Sequence, residues 1–287
     1  MPAEPDRPPA NAGAHGVPLV RGADGGAPTY RALVETAEAA RWRLGEVPWD
    51  AFQPARIWPG LTEVVRGMAY HEQATFSATQ RFMQSFADDA DFTQWVSVWF
   101  YEETRHPLML MRWVELAGET FDESFVIRGR ISTPFMRSRM GTLVTNVISE
   151  ITASMAYLSL GRAVEEPLLQ ALCRRIATDE ARHAASFFRY ARRRLEGAAD
   201  PDRDRLDAVK VLHFWLNESQ SVTHPVNQAM ARLREQGGLA AACLPDVGEL
   251  RARACRAVGL LTGTEIQAPA DAGTVLARLV ARAHADR

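Results

Sequence analysis

Two short stretches decide the fold of this chain: Asp179-Glu180-Ala181-Arg182-His183 and its earlier counterpart, Glu102-Glu103-Thr104-Arg105-His106. Each places a glutamate three residues before a histidine. On an α-helix, side chains at that spacing lie on one face, so the carboxylate and the imidazole can reach the same point. A single pair of this kind arises by chance in many proteins. Two pairs, each within an apolar helical pattern, predict a bundle that holds two metal ions.

Apolar residues recur at intervals of three and four from Leu61 onward, which predicts a succession of amphipathic helices. Alternation with a period of two is not sustained, so we expect an all-α fold with almost no β-sheet. Prolines between residues 46 and 59 forbid a long helix there. The predicted helices cover residues 29–44, 60–87, 91–117, 120–129, 134–162, 165–196, 203–236, 246–261 and 270–284.

Two further glutamates lie on apolar helix faces: Glu72, and Glu150, which is the only acid between residues 134 and 162. The chain order is then a lone glutamate, a motif, a lone glutamate and a second motif, as in a ferritin-like four-helix bundle. We predict that bundle with additional N- and C-terminal helices: a disordered leader at 1–27, the bundle domain at 28–236 and a helical extension at 237–287. The predicted metal ligands are Glu72, Glu103, His106, Glu150, Glu180 and His183.

Four glutamates on core-facing stripes would repel one another and could not all ionise without cations. Two divalent ions remove this problem, and the oxygen and nitrogen ligands suit iron or manganese, with zinc as a competitor. Glu102 and Asp179 are predicted to accept the free N–H of a ligand histidine across the bundle, and Arg105 and Arg182 to balance these acids. The remaining histidines have no such context and stay unassigned: His15, His71, His213, His224 and His284.

Composition limits the possible partners, the role of the cysteines and the cellular location. The 287 residues are 47% hydrophobic with a formal net charge of −2, so nothing favours a nucleic-acid partner. Three widely spaced cysteines form no CxxC motif and are expected to be reduced and buried. We expect no signal peptide and no membrane span, because no segment holds about 20 uninterrupted apolar residues. A cytoplasmic location is therefore predicted.

The motifs resemble the EE-x-RH and DE-x-RH motifs of soluble acyl-carrier-protein desaturases. The resemblance covers roughly residues 60–196 and includes the pattern Phe-x-x-Trp-x-x-x-Trp-x-x-Glu-Glu over residues 92–103, where Trp99 stands four residues before Glu103. It implies that the six predicted ligands bind a di-iron centre that activates O2 and removes hydrogen from an unactivated C–H bond of a carrier-bound acyl chain. A manganese/iron pair is the alternative metal content.

The resemblance also implies partners. These are a ferredoxin-like electron donor, an acyl carrier protein or another small-molecule carrier, and a second copy of the chain in a homodimer. Asp179 matches the family's acid that links a ligand histidine to a surface tryptophan, for which Trp42, Trp49 and Trp58 are candidates. The carrier would meet the basic residues Arg128, Arg130, Arg137, Arg139 and 192–194. The substrate channel is expected along Trp95, Phe100, Val147, Met155 and Phe187.

The sequence departs from the desaturase pattern near the expected oxygen site. Ala153 stands where desaturases carry a threonine, with Thr152 before it and Ser154 after it. A hydroxyl four residues after the third glutamate is closer to di-iron hydroxylases, so hydroxylation or N-oxygenation is an alternative to desaturation.

Three other functions remain open. A radical subunit of the ribonucleotide-reductase type needs a tyrosine about one turn after His106, where this chain has Leu110. Iron storage or peroxide detoxification is usual on a shorter chain, whereas roughly 90 residues follow the fourth ligand helix here. A metal-free bundle that binds a partner is the last alternative.

Overall fold

The computed structural model describes residues 29–131, 138–217 and 224–285, and these ranges are helical without any strand. The all-α helical bundle is therefore confirmed. The predicted leader lies outside the described residues, and the domain boundaries remain a prediction. The helices are α1 (Thr29–Ala40), α2 (Leu61–Glu72), α3 (Thr75–Ser85), α4 (Ala90–Glu103), α5 (Arg105–Leu116), α6 (Glu123–Gly129), α7 (Arg139–Ala163), α8 (Pro167–Glu196), α9 (Pro201–Leu216), α10 (Pro225–Gln236), α11 (Gly238–Ala242), α12 (Val247–Thr262) and α13 (Pro269–Ala285).

Two helical hairpins build the bundle. Helices α7 and α8, joined by residues 164–166, form the most extensive helix pair and run antiparallel. In the other hairpin, α2 continues into α3 and α4 into α5, with α2 against α5 and α3 against α4. Outside these hairpins, α9 lies against α7 and α13, while α10 covers α2 and α7. Each hairpin carries one lone glutamate and one Glu-x-x-His motif.

Two of the predicted long helices are interrupted beside a predicted ligand. The helix predicted over 91–117 breaks at Thr104, directly after Glu103. Pro107 explains this break, because proline has no N–H to donate and its ring clashes with the carbonyl group four residues earlier, which is that of Glu103.

The helix predicted over 60–87 breaks directly after Glu72. There, the N–H groups of Gln73 and Ala74 bond to carbonyl oxygens three residues back, which is a tightened turn. Gly129 at the end of α6 packs against this turn. A Cβ at position 129 would lie 2.7 Å from the Gln73 side chain and from the Tyr70 carbonyl oxygen. The site therefore receives Glu72 and Glu103 from the ends of helices.

The prediction of one continuous helix over residues 203–236 is wrong. Helix α9 ends at Leu216, Asn217 is extended, and α10 begins with Pro225 at its first position. Proline favours that position because it needs no N–H donor there. Gly237, with a φ of 66°, ends α10 as the sequence predicts. Predicted details that fall on residues 132–137 and 218–223 lie outside the described residues.

A buried carboxylate starts α8. Glu166 is fully buried, and its side chain accepts hydrogen bonds from the N–H groups of Leu168 and Leu169. It also accepts from the Gln53 N–H and from the indole N–H of Trp113, at 2.9 and 2.7 Å. This one side chain therefore caps α8 and attaches the proline-rich connection and α5 to it.

Two apolar clusters lie at opposite ends of the bundle, and the predicted ligands lie between them. Along α8, Ile176 belongs to one cluster and Phe187 to the other, with Glu180 and His183 in between. One described helix, α7, is long and apolar enough to cross a membrane by length and composition, but 72% of its most apolar window is buried inside the structure. The three cysteines are free and buried, as predicted.

Candidate metal centre

The structure brings all six predicted ligands together in two overlapping groups. One group contains Glu72 and His106 and the other contains Glu150 and His183, while Glu103 and Glu180 belong to both. Within each group, the potential ligand atoms all lie within 4.8 Å of one another. Five of the six side chains are buried, and Glu72 is 13% exposed. The six side chains come from five helices, because α4 and α5 each carry one half of the first motif, and they meet as the sequence pattern predicts.

Each motif histidine turns the same ring nitrogen towards this centre. Nδ1 of His106 lies 3.3 Å from Glu180, and Nδ1 of His183 lies 2.7 Å from Glu103. Neither Nδ1 atom has a hydrogen-bond partner of normal geometry among the described residues. The opposite nitrogen of each ring is held by an acid: Nε2 of His183 lies 3.0 Å from Glu102, and Nε2 of His106 lies 3.3 Å from Asp179.

This arrangement confirms the predicted exchange of acids across the bundle. The acid beside each ligand glutamate holds the histidine of the other motif, so its carboxylate fixes Nε2 as the protonated nitrogen. In the metal-free chain, the surrounding carboxylates outweigh burial and hold the pKa of both histidines well above 6.5, so Nδ1 is protonated as well and faces the ligand carboxylates. A metal ion that binds at Nδ1 would displace that proton and leave the Nε2-protonated tautomer, which a metal-binding histidine requires.

The pKa values show that the four ligand carboxylates resist ionising together in the metal-free chain. Burial, with the charge of Glu180 as the next cause, raises the pKa of Glu72 to about 8. Burial also raises the pKa of Glu103 and Glu150, again with help from the charge of Glu180. Glu180 itself has a lowered pKa, because the charge of His106 and hydrogen bonds from both histidines outweigh its burial.

These groups fit a pair of divalent ions. One oxygen atom of Glu103, one of Glu180 and both Nδ1 atoms are buried with no hydrogen-bond partner outside the centre among the described residues, so they are available as ligands. Four carboxylates and two imidazoles form the donor set expected of di-iron and di-manganese bundles. Two divalent charges would also let the glutamates with raised pKa values ionise together.

Arginines outside the centre balance the two supporting acids. Arg182 lies 2.9 Å from both Glu102 and Asp179, as predicted. Arg105 forms no direct ion pair with either acid, but the charges of Asp179 and Glu102 act against the effect of burial and favour its protonated form, so it balances them without direct contact. Its guanidinium lies 3.8 Å from the centre of the Trp42 ring and donates to the Trp42 carbonyl oxygen. Arg41, which sequence reasoning missed, lies 3.5 Å from Glu102 instead.

Trp42 is the tryptophan that reaches Asp179. Its indole N–H donates to Oδ2 of Asp179 at 2.9 Å, and the same oxygen faces His106. A continuous chain of contacts therefore runs from the half-buried Trp42 to a predicted ligand. Trp49 instead stacks beneath Arg112, at 4.0 Å.

Other side chains contact the centre from the bundle interior. The Tyr157 hydroxyl donates to Glu72, and the Thr75 hydroxyl donates to Glu103 at 3.2 Å. Trp99 packs edge-on against His183, with ring centroids 6.4 Å apart, as expected for a residue that supports the centre. Tyr157 follows Glu150 at helical spacing on the same apolar stripe, a signal that could have revealed it.

A cavity opens beside the carboxylates. It has a volume of about 880 Å³, part of it open to solvent, and Glu72, Glu103, Glu150 and Glu180 contribute to its wall. Small or apolar side chains from α3 and α7 form the neighbouring wall. The side away from the ligand-bearing helices is formed by His224 and α10.

Comparison with known families agrees with this geometry. The profile described as fatty acid desaturase matches residues 69–214, just over half of the chain. The chain belongs to the fatty acid desaturase family. Membership of this family indicates an oxidoreductase of the desaturase or oxygenase type, and its members typically use iron and O2. No curated protein matches the chain significantly.

In this member of the desaturase family, the hydroxyls expected near the oxygen site are used elsewhere. The Thr152 hydroxyl donates to the Ile148 carbonyl oxygen of its own helix, and the Ser154 hydroxyl donates to the Ala177 carbonyl oxygen of α8. Neither residue lines the cavity, whereas Ala153 does. Both hydroxyls therefore belong to helix packing, and a methyl group forms the cavity wall at this height.

The expected substrate channel is also corrected. None of the five residues predicted to border it lines the cavity. Trp95 and Phe187 are buried and meet edge-on with centroids 4.8 Å apart, so aromatic rings fill that space. The apolar pattern alone could not distinguish this packed cluster from a channel.

The basic residues predicted to meet a carrier protein have partners within the chain. Arg139 pairs with Asp88 and Arg192 with Glu196, while Arg193 pairs with both Asp89 and Asp91. Arg194 pairs with Asp204, and Arg137 lies outside the described residues. Carrier binding by this surface stays a prediction.

Proposed function

We propose that this chain is an O2-dependent di-iron oxidoreductase that oxidises an unactivated C–H bond of a substrate held in the cavity, an acyl chain or a molecule of similar apolar character. Glu72, Glu103, His106, Glu150, Glu180 and His183 would hold the two ions. When bound, a pair of irons supplies O2 activation and hydrogen removal. Membership of the desaturase family supports the reaction class.

One observation carries the proposal: the two groups of ligand atoms share Glu103 and Glu180 and border the cavity directly. A metal that served only to stabilise the fold would have no need of such access. Because Glu72 and Glu150 belong to different groups and both contribute to the wall, a substrate in the cavity would lie beside both halves of the centre.

The residues around the ligands would orient the two histidines and connect the centre to an electron donor at the surface. Glu102 and Asp179 each hold Nε2 of one histidine, which would direct its Nδ1 to the metals, and Arg182 pairs with both acids. A ferredoxin-like protein would deliver electrons at the surface near Trp42, from which contacts lead through Asp179 to His106. Trp99 contributes to the cavity wall, and the buried aromatic cluster behind it would exclude water from that side of the centre.

Hydroxylation is the second candidate, and Ala153 favours it. The threonine that desaturases carry near the oxygen site is replaced by this methyl side chain in the cavity wall. The product will separate the two outcomes, because desaturation removes two hydrogens from the substrate and hydroxylation adds one oxygen.

Metal analysis and substrate turnover test the proposal together. Protein from iron-replete cells should contain about two irons per chain, the content of di-iron bundles. Glu150→Ala should lower this content sharply, while Glu115→Ala, an exposed acid on α5, should not. The reduced protein is then exposed to O2 with acyl-carrier substrates of several chain lengths, and the products are weighed by mass spectrometry. Iron that stays unchanged in Glu150→Ala would overturn the site, and assembly into a 24-subunit shell would favour iron storage.

A further inference from the structure

Two histidines in the cavity wall take no part in the proposed metal centre. His71 is on α2, one residue before Glu72, and is only 6% exposed. His224 is the residue that precedes α10, the helix that closes the far side of the cavity. Both line the same cavity as the four ligand glutamates. The chain thus places one imidazole on α2 and one at the start of α10, both in the wall of the space next to the metals.

The ring nitrogens of these histidines lack partners. Both nitrogens of His71 and Nδ1 of His224 are buried without a hydrogen bond to any described residue. The His71 ring contacts the ring of Tyr70, and the His224 ring contacts that of Trp215, so aromatic packing helps to hold both rings. Burying polar atoms in this way is unfavourable unless something in the cavity bonds to them.

The charges around the cavity favour a neutral ligand group. Burial lowers the pKa of His224 to about 4, so at neutral pH this ring offers one donor and one acceptor. The described lining contains no lysine or arginine, and its only charged groups are the ligand glutamates. A substrate carboxylate would find no cation here other than the metals.

Four other polar side chains in the lining already donate hydrogen bonds within the chain: Thr75, Asn146, Ser149 and Tyr157. The indole N–H of Trp99, also in the lining, has no partner among the described residues. The remaining lining is small or apolar. It includes Met68, Ala78, Ala156, Ala229, Met230 and Leu233. A substrate that fills this space would bury an apolar body against these side chains and place its polar group between the walls that carry the histidines.

We propose that His71 and His224 form a hydrogen-bonding subsite that selects substrates with a neutral polar group, such as an amide or a hydroxyl, attached to an apolar body. This proposal depends on the proposed function in one respect only, which is that the bound molecule is then oxidised. The subsite itself binds by hydrogen bonds and does not need the metals to react.

Binding of four matched probes tests the subsite: benzamide, benzyl alcohol, toluene and benzoate. Dissociation constants of the three neutral probes are measured by calorimetry on the protein as isolated from iron-replete cells. Benzamide and benzyl alcohol should bind more tightly than toluene by about threefold to tenfold for each hydrogen bond formed. Because the carboxylate of benzoate can also bind the irons, benzoate is compared with the other probes on protein stripped of iron by a chelator, where it should bind most weakly. His224→Phe and His71→Phe should each reduce this preference, and the double variant should abolish it.

Three controls keep the result interpretable. Met230→Leu alters the same wall without changing its polarity, so it should keep the preference for benzamide. His71→Asn retains a donor and an acceptor and should restore part of it if His71→Phe folds poorly. Iron content and melting temperature are measured for every variant, because His71 adjoins a predicted ligand.

The outcomes separate the two proposals. Equal binding of toluene and benzamide by an iron-loaded protein that reacts with O2 would overturn the subsite and leave the oxidoreductase intact. A preference that depends on His224 in a protein that binds no iron would support the subsite and overturn the oxidoreductase. Tightest binding of benzoate by the protein stripped of iron would contradict the subsite directly.

Discussion

The indole N–H of Trp42 bonds to Oδ2 of Asp179 at 2.9 Å, and this oxygen also lies 3.3 Å from Nε2 of His106. The tryptophan comes from the connection after α1 and the other two residues from separate helices, so the contact exists only in the folded chain. Arg105 lies over the indole and binds its backbone carbonyl, which fixes the ring in place. A surface residue is thereby coupled to a predicted metal ligand.

Replacing Trp42 should slow reduction of the centre without removing the metals. Trp42→Phe deletes the N–H that bonds to Asp179 and keeps an aromatic ring beneath Arg105. We expect near-normal iron content and at least about a tenfold loss in the rate of reduction by a ferredoxin, a change of about 1.4 kcal/mol in the barrier. Stopped-flow absorbance of the iron centre measures that rate. Trp49→Phe, a tryptophan without contact to Asp179, is the matched control, and equal slowing in both variants would refute the pathway.

Glu102 should matter for metal affinity although it is not a predicted ligand. Glu102→Gln removes the charged acceptor of Nε2 of His183 and one partner of Arg182. Loss of such supporting acids typically weakens metal binding by about 10- to 100-fold. Competition with a chelator gives the affinity. Glu115→Gln should leave it unchanged, and an unaffected Glu102→Gln protein would show that His183 is held in some other way.

The stability of the metal-free protein should fall as the pH rises from about 5 to about 8. The pKa of Glu72 rises from 4.5 to about 8 in the folded chain, so the folded state retains a proton that the unfolded chain has lost. This contribution is complete below pH 4.5 and disappears as the pH passes through about 8. Glu103, Glu150 and both motif histidines, whose pKa values are also raised, act in the same direction.

Bound metal should reverse that trend, because it replaces the protons on the same ligands. Melting temperatures of metal-free and iron-loaded protein between pH 5.5 and 8.5 should diverge as the pH increases. Glu72→Gln cannot ionise and should flatten the curve of the metal-free protein. Parallel curves for the two forms would mean that these carboxylates do not bind the metal.

Tyr157 should tune the centre through Glu72. Its hydroxyl donates to that carboxylate and favours the ionised form, so Tyr157→Phe should raise the pKa of Glu72 further. We expect weaker metal binding near pH 7 by up to about tenfold, with recovery at higher pH. Titration with Mn²⁺ at pH 7 and pH 9 measures this. A loss of equal size at both pH values would contradict the explanation.

Glu166 should matter for stability rather than chemistry. Glu166→Ala removes the cap of α8 and leaves the Trp113 indole without its acceptor, which together should cost about 3 kcal/mol of unfolding free energy. Glu166→Gln retains one acceptor oxygen and should cost less. Urea unfolding of the metal-free protein compares the two, and equal losses would argue against the shared hydrogen-bond role.

The sequence alone predicted that these six side chains converge, because helical spacing determines which residues share a face. Their role as metal ligands stays a prediction. A glutamate within an apolar stripe must face the core, so Glu72 and Glu150 could be placed without coordinates. The exchange of Glu102 and Asp179 between histidines followed from the same geometry. These predictions required only that the four long helices predicted to carry the ligands pack side by side.

Other features depend on contacts that spacing does not encode. The break beside Glu103 could have been predicted from Pro107, whereas the turn after Glu72 lies against Gly129, which comes from a distant part of the sequence. Arg41 and Trp42 reach the site from an irregular connection, and no periodic pattern marks them. The cavity was misplaced because Trp95 and Phe187 show the same apolar periodicity whether they line a channel or fill a core.

The wall formed by α10 lies outside the segment that carries the family match, residues 69–214. The metal-binding residues and the helix α10 that forms the wall across the cavity therefore belong to separate segments of the chain. Substitutions in α10 can change the cavity while the metal ligands stay the same. Two proteins with identical Glu-x-x-His motifs therefore need not share a substrate. Grafting residues 224–236 between relatives would be a direct way to transfer preference without disturbing the chemistry.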